Sequence, residues 1–402
     1  MRKGHTFEEL LFWRIYDRPQ CQRGDLAEHF GVSAATVSRA VALLAGKGLI
    51  VETEAGNAAP GRKPYLVQVN SLLATLLGLE IDVDRVLAVV TDMAGVLLGR
   101  GAARCDAGKG LGAVLAASRQ AAAAAMGDAG VHPSAIRHLG AGHPGHLDID
   151  NGVCLYWANA PGWSGVPVRD SLSEAFGMQV TVDDRSRALA LGERRTSPED
   201  WRHSTAVYIS AGSGIGMGIF IDGRLFRGGN HRGGEIGHTL IDPGGPPCNC
   251  GSRGCVEAYA GTGAILRRAS ESLGAGVPTL LDRNKPLTIE AVVSAARQGD
   301  AACAAALDAA CRAIGVAVAN LVQILNPTLV VLCNKLARLA GDQLRECVLH
   351  AVAKQCVIPG SRPAEVRVSP PKKDISAVGC ALLAAEAEAQ RAVRRRLFGE
   401  TE

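Results

Sequence analysis

Over residues 1–70 the apolar positions recur at helical spacing. Leu10, Leu11, Ile15 and Tyr16 share one face, and Thr6 and Glu9 ahead of them have the spacing of a capping box. The pattern predicts a helix that opens at Thr6 and stops at Pro19. A short second helix is expected over 24–30, with Gly31 turning the chain and Val32 packing the turn. Ser33 then caps a third helix in which Val37, Val41 and Leu44 recur, and Gly46 and Gly48 end it. Residues 49–52 open a hairpin whose tip, 57–64, carries Gly61-Arg62-Lys63-Pro64.

That order of elements is a winged helix-turn-helix. Ala34, Ala35, Thr36, Ser38 and Arg39 lie on the face of the third helix turned away from the core. A major groove requires such residues: small ones allow close approach, while hydroxyls and a guanidinium reach base edges and phosphates. Arg62 and Lys63 on the wing would reach a minor groove or phosphates. A helical module that binds only protein is the alternative. The basic wing at the right distance favours double-stranded DNA.

After Asn70 the periodicity changes. Runs over 77–81 and 85–92 read as paired strands, 111–126 as an alanine-rich helix, and 138–141 as a strand ending at Pro144-Gly145. Further helices are expected over 171–176 and 188–194, a strand over 180–182, and a second hairpin over 205–209 and 216–222. The fold class is α/β, in two lobes that each open with antiparallel strands. The expected domains are a winged helix over 1–70, a first lobe over 71–196 completed by a C-terminal helix over 381–402, and a second lobe over 204–380. The polar stretch 195–204 reads as a hinge. The uncharged run 313–334 is interrupted by Asn320, Gln323, Asn326 and Pro327, so a helix followed by a buried strand fits it better than a membrane span. The C-terminal arginines 391 and 394–396 read as a solvated helix face.

Composition narrows the class without naming it. With 47% apolar and 20% charged residues the chain is globular, not disordered. A net charge of +4 is too mild to argue for nucleic acid, which leaves that case to the local motifs. The charged opening residues are not an apolar leader, and the expected compartment is the reducing cytoplasm. There, clustered members of the 12 cysteines bind metal more often than they pair. Most are scattered among apolar neighbours, as buried thiols are. Three are not: Cys248, Cys250 and Cys255 sit close together between glycines, with His238 upstream. One imidazole and three thiolates complete a tetrahedron with no open position, the donor set of structural Zn2+.

Gly234-Glu235-Ile236-Gly237-His238 leading to Cys248-Asn249-Cys250-Gly251-Ser252-Arg253-Gly254-Cys255-Val256-Glu257 closely resembles the signature of the ROK family, which groups sugar kinases with sugar-responsive repressors. Pro144-Gly145, Asn159-Ala160-Pro161-Gly162-Trp163, Gly212-Ser213-Gly214-Ile215-Gly216 and Gly379-Cys380-Ala381 fall where such proteins have like motifs. The resemblance implies a two-lobed actin-like, ribonuclease-H-like sugar-kinase fold. The winged helix marks the repressor branch. It also implies sugar contacts at Asn159, Glu235, His238 and Glu257, which hydroxyls can both donate to and accept from. Glu235 and Glu257 could instead only orient the metal loop.

Three departures from the kinase pattern argue against phosphoryl transfer. The family's catalytic Asn-Asp pair falls on Asp184 and Arg185, and arginine cannot accept a proton; a one-residue shift would restore Asp184 to that role. The first phosphate turn, Asp82-Val83-Asp84, lacks the glycines that let backbone amides approach phosphate. Cys333-Asn334-Lys335 replaces a glycine pair on the adenosine side. The leading expectation is therefore a sugar-responsive repressor without kinase activity, a dimer or tetramer bound to a two-fold operator. A sugar kinase with a fused DNA-binding domain and a ligand-independent repressor are the alternatives. Arg185 raises the further option of an anionic sugar, against a plain ion pair with Asp183, Asp184 or Glu193.

Overall fold

The computed structural model describes residues 6–18, 20–54, 65–282, 284–355 and 363–400. Arg62, Lys63 and Cys356 therefore lie outside the described residues. The chain opens with helix α1 (Phe7–Asp17), a short strand β1 (Cys21–Gln22), α2 (Arg23–Phe30), α3 (Ala34–Gly46) and strands β2 (Ile50–Glu54) and β3 (Tyr65–Val69). Thr6 caps α1 by accepting from the Glu9 amide, and Ser33 caps α3 by accepting from Thr36. Gly31, in the left-handed region, closes α2 and makes the turn. The strands form a small antiparallel sheet in the order β1-β3-β2.

Two sheets of matching design follow. In the first, β4 (Thr75–Ile81), β5 (Arg85–Thr91) and β6 (Leu97–Arg104) form an antiparallel meander, which β7 (Ile136–His143) and β10 (Gln179–Asp184) extend in parallel. A small ribbon of β8 (His146–Asp148) and β9 (Val153–Tyr156) stands beside it, with helices α4 (Leu111–Ala129) and α5 (Val168–Phe176). Helix α6 (Arg185–Arg195) leads to the second sheet. There β11 (Ala206–Ala211), β12 (Ile215–Ile221) and β13 (Arg224–Phe226) are antiparallel, and β14 (Leu329–Cys333) and β15 (Glu365–Val368) add in parallel on the other side. Helices α7 (Val256–Ala260), α8 (Thr262–Gly274), α9 (Ile289–Arg297), α10 (Ala301–Leu325), α11 (Asn334–Ala340) and α12 (Asp342–Gln355) cover this lobe. Each lobe thus repeats one plan, an antiparallel meander with two parallel strands.

Helix α10 is long and apolar enough to cross a membrane by length and composition. Its buried residues, from Cys303 to Val322, instead form the core of the second lobe with Val207, Val330 and Leu332 of the sheet. Asn326, in the left-handed region, ends it, and the chain enters β14 as the sequence suggested.

Three expectations need correction. The C-terminal helix α13 (Ile375–Phe398) begins well before residue 381, so Gly379-Cys380-Ala381 lies inside it. The reason is a helix crossing: a Cβ on Gly379 would lie 1.7 Å from the carbonyl oxygen of Ala188, so glycine lets α13 press against α6. The stretch 195–204 is not a loose hinge. Asp200 is buried, accepts a hydrogen bond from the Tyr208 hydroxyl at 2.8 Å and is gripped by Arg367, while the Trp201 indole donates to the Arg194 carbonyl. Nor is the arginine run only solvated. Arg396 donates to the carbonyls of Lys47 (2.9 Å) and Gly48 (3.1 Å), at the C-terminal end of α3, where a cation also meets the negative end of the helix dipole. The winged helix thereby rests on α13, and their apolar residues form one continuous core with β4 and β5.

Candidate functional site: interlobe cleft, metal centre and recognition helix

The metal-type donors come from two short segments. A turn of 3-10 helix, Ile236–His238, presents His238, and the loop that follows returns Cys248, Cys250 and Cys255 to it. The Cys248 amide donates to the Ser252 carbonyl at 2.8 Å and Gly251 donates back to Cys248 at 3.0 Å. Gly254 must be glycine: its φ is 70° and a Cβ would fall 1.6 Å from the Asp242 carbonyl oxygen. The four donor atoms lie within 4.8 Å of one another. Cys250 and Cys255 sulfurs are 3.8 Å apart, and His238 Nδ1 is 3.7 Å from Cys248 Sγ. Zinc–sulfur bonds of about 2.3 Å in a tetrahedron separate the sulfurs by about 3.8 Å. The donors therefore fit a tetrahedral zinc ion. They would hold it with His238 Nδ1 on the metal side, leaving Nε2 as the ring's second polar atom.

Beside this centre, between the two lobes, runs a cleft of about 450 Å³. All six predicted ligand residues line it: Asn159, Asp184, Arg185, Glu235, His238 and Glu257. His146 joins them. It stacks on Tyr156, sits 5.8 Å ring to ring from His238 and has its Nδ1 3.5 Å from Glu235. Burial pushes Glu235 up, but the His146 contact and the positive charges around it outweigh that and hold it below the ordinary carboxylate range. Sequence reasoning stopped at Pro144-Gly145 and missed His146 one residue further on. Its pairing with Glu235 is a contact between residues far apart in the chain.

The turn before His146 is built on a neutral histidine. Burial, with Arg185 adding to it, drives His143 down to about 3, and its Nδ1 accepts from the Gly145 amide at 3.0 Å. Trp157 and Trp163 pack on the same ring and hold the Asn159 loop against it. Asn159 Oδ1 accepts from the Asn249 side-chain Nδ2 at 3.0 Å, which joins the first lobe to the metal loop across the cleft. Glu257 accepts from the Ile215 amide at 2.9 Å. One of its oxygens is thus committed to the Gly212–Gly216 turn.

The residues that departed from the kinase pattern have found other work. Asp184 caps α6, accepting from Ser186 at 2.8 Å and Arg187 at 3.1 Å, and burial raises its pKa. Arg185 pairs with Asp82. Its partner is therefore not Asp183, Asp184 or Glu193, the candidates that sequence proximity suggested. Asp183 is held by Arg187 and Arg227, and Glu193 by Lys372 and Ser369. Asp82 comes from the β4–β5 turn, too distant in sequence to be named beforehand. On the opposite side Asn334 bonds Ser210 at 3.1 Å and stands where a Cβ on Gly212 would meet it at 3.0 Å.

On α3, Ala34, Ala35 and Arg39 are exposed and Thr36 is half-buried. Ser38 is engaged from within the domain: Arg23 donates to it at 3.1 Å and clamps Glu52 of β2 with its other nitrogens at 2.8 and 2.6 Å. Arg23 thus ties α2, α3 and the first wing strand, a role the sequence pattern did not show.

The ROK family pattern matches residues 117–387, well over half of the chain. The chain belongs to the ROK family. A MarR family pattern matches residues 10–59, over the winged helix. Among curated ROK relatives, the xylose repressor of Caldicellulosiruptor bescii is 29% identical over 375 residues, covering 92% of this chain and 93% of the relative. The glucokinase of Thermotoga maritima is 34% identical over 257 residues, or 62% of this chain and 79% of the kinase. Among solved structures, a ROK family transcriptional regulator homologous to the E. coli MLC protein matches with a TM-score of 0.71 and 22% identity over 97% of this chain and 98% of that one. The fold is thus a winged helix followed by the two-lobed ROK sugar-kinase fold. The kinase match leaves more than a third of this chain uncovered, while the repressor match is long enough to reach into the winged helix.

Proposed function

We propose that this ROK protein is a sugar-responsive DNA-binding repressor that has lost phosphotransfer. The observation that carries the reading is the cleft itself. It gathers Asn159, Glu235, His238 and Glu257, polar groups suited to sugar hydroxyls, while Arg185 and Asp82 offset each other where phosphoryl chemistry would need a base and an open phosphate turn. A structural Zn2+ on His238, Cys248, Cys250 and Cys255 would fix the loop that carries two of the sugar contacts. DNA contacts come from Ala34, Ala35, Thr36, Ser38 and Arg39, with Arg62 and Lys63 on the wing. A homodimer would present two such helices to a two-fold operator in the cytoplasm.

Asp82, with Glu80 and Asp184 close by, offsets the Arg185 charge, so the pocket suits a neutral sugar. D-xylose and D-glucose are the first probes, because relatives are named for a xylose repressor and a glucokinase. One of them is expected to raise the melting temperature and to change the salt-dependent affinity for an operator selected from random DNA. A chain that binds neither sugar, or whose operator affinity ignores bound sugar, would sink the reading. Sugar-dependent ADP release lost in Asp184→Asn would favour the kinase alternative instead. In a thermal-shift panel of neutral sugars and sugar phosphates, Arg185→Ala should leave the preference for neutral sugars in place. Preference for an anion in the parent protein would overturn that assignment. Arg62→Ala should weaken operator binding several-fold, and unchanged affinity would remove the wing from the contact set.

A further inference from the structure

The winged helix is held to the molecule in two different ways. Toward the first lobe the attachment is apolar: Leu11, Phe12 and Ile15 of α1 share a buried core with Leu382, Ala385 and Val393 of α13. Toward the second lobe it is open, with charged groups at the edge of an aromatic cavity. A cavity of about 430 Å³ separates α1 from β12 and β13, lined by Trp13, Tyr16, Trp201 and Phe220. Across it Arg224 of β13 reaches Asp17 at the end of α1, with Nε 3.6 Å from Oδ2. Arg14 of α1, Arg195 of α6 and Glu386 of α13 also act on Asp17, and Arg195 lies 4.8 Å over the Tyr16 ring.

Arg224 sits on a rigid hairpin. Asp222 and Gly223, both in the left-handed region, form the two-residue turn between β12 and β13 that matches the twist of paired strands. Arg227 follows β13 directly and has its Nη2 3.6 Å from Glu386 of α13. Its Nε is 2.8 Å from Asp183 Oδ2. The other Asp183 oxygen is 2.6 Å from Arg187 Nε, and Arg187 donates to the Gly233 carbonyl at 3.0 Å. Gly233 lies two residues before Glu235 in the cleft, and its amide returns to the Arg227 carbonyl at 2.8 Å. Asp183 and Arg187 are almost wholly buried. One end of the hairpin is thus locked to the floor of the cleft through buried charges, and the other end touches the winged helix through a half-exposed pair.

We infer that the β12–β13 hairpin is the transmission element between cleft and winged helix, with Arg227 reading the cleft floor through Asp183 and Arg224 setting the winged helix through Asp17. The inference rests on the proposed sugar-responsive function. The physics favours this pair of contacts. Breaking the Asp183–Arg227 contact would leave the buried Asp183 carboxylate with Arg187 alone, so the hairpin follows the cleft. The Arg224–Asp17 contact, half-exposed and 3.6 Å long, is weaker, so it can form in one lobe arrangement and not in the other. An element that both sites bias is what coupling requires.

The test uses the full chain, D-xylose and D-glucose as probes by calorimetry, and an operator selected from random DNA. Arg224→Gln and Asp17→Asn should bind the active sugar with the affinity of the parent protein. Each should reduce the sugar-induced change in operator affinity by about five-fold or more, the lower range of allosteric couplings. The charge-keeping variants Arg224→Lys and Asp17→Glu should retain it, which a merely steric role would not require. Neutral variants that keep the parental response, or charge-keeping variants that lose it while binding sugar normally, would overturn the inference. If the parent protein itself binds neither sugar, or binds without any operator effect, the functional reading falls first and this inference falls with it.

Discussion

Cys255→Ser is expected to abolish tight sugar binding, by about 100-fold or more, while operator binding without sugar stays near its parental value. Cys255 is buried and its sulfur stands 3.8 Å from that of Cys250, so it completes the donor tetrahedron. Losing one ligand of a structural site removes most of its affinity for zinc, and even groups behind the ligands cost about 10–100-fold. Without the ion, His238 and the Asn249 side chain that meets Asn159 lose their fixed positions, and the cleft loses both lobes' grip on a sugar. The winged helix does not depend on that loop, because its core is shared with α13 and the first sheet. Metal content by mass spectrometry, sugar affinity by calorimetry and operator affinity by gel shift check the three statements separately. Chelation that removed DNA binding together with sugar binding would contradict the separation.

Arg39→Ala is expected to weaken operator binding by about 10–100-fold, equally with and without sugar. A good contact between a guanidinium and a base edge is worth about 1–3 kcal/mol. Arg39 is exposed on the outer face of α3, and among the described residues no hydrogen bond or ion pair engages it. It differs from Arg23, whose nitrogens are occupied by Glu52 and Ser38. The same loss across unrelated sequences, with a salt slope reduced by about one, would place Arg39 on a phosphate rather than a base. No loss at all would remove it from the interface.

How much of this was legible beforehand depends on the range of each interaction. Capping, turns and apolar periodicity act within a few residues, so Thr6, Gly31 and Ser33 announced the winged helix directly. The metal donors were legible for the same reason, since three of the four lie within one loop. The proposed sugar contacts came from resemblance to a signature that is contiguous from Glu235 to Glu257. The cleft then gathered them, together with Asn159, from both lobes.

What the sequence determined by itself was the set of local devices: the caps, the glycine turns, the alternating strands and a donor set suited to zinc. These follow from backbone sterics and short-range hydrogen bonding, which neighbouring residues decide. Only the tertiary structure decided which charges neutralise which. Arg185 meets Asp82, Asp183 meets Arg227, His146 meets Glu235, and Arg224 crosses from the second lobe to Asp17. An ion pair depends on distance in space, and sequence separation carries almost no information about that once a sheet has folded. The local devices built the winged helix and the metal loop. The long-range pairs balance charges in the cleft and tie the second lobe to the winged helix.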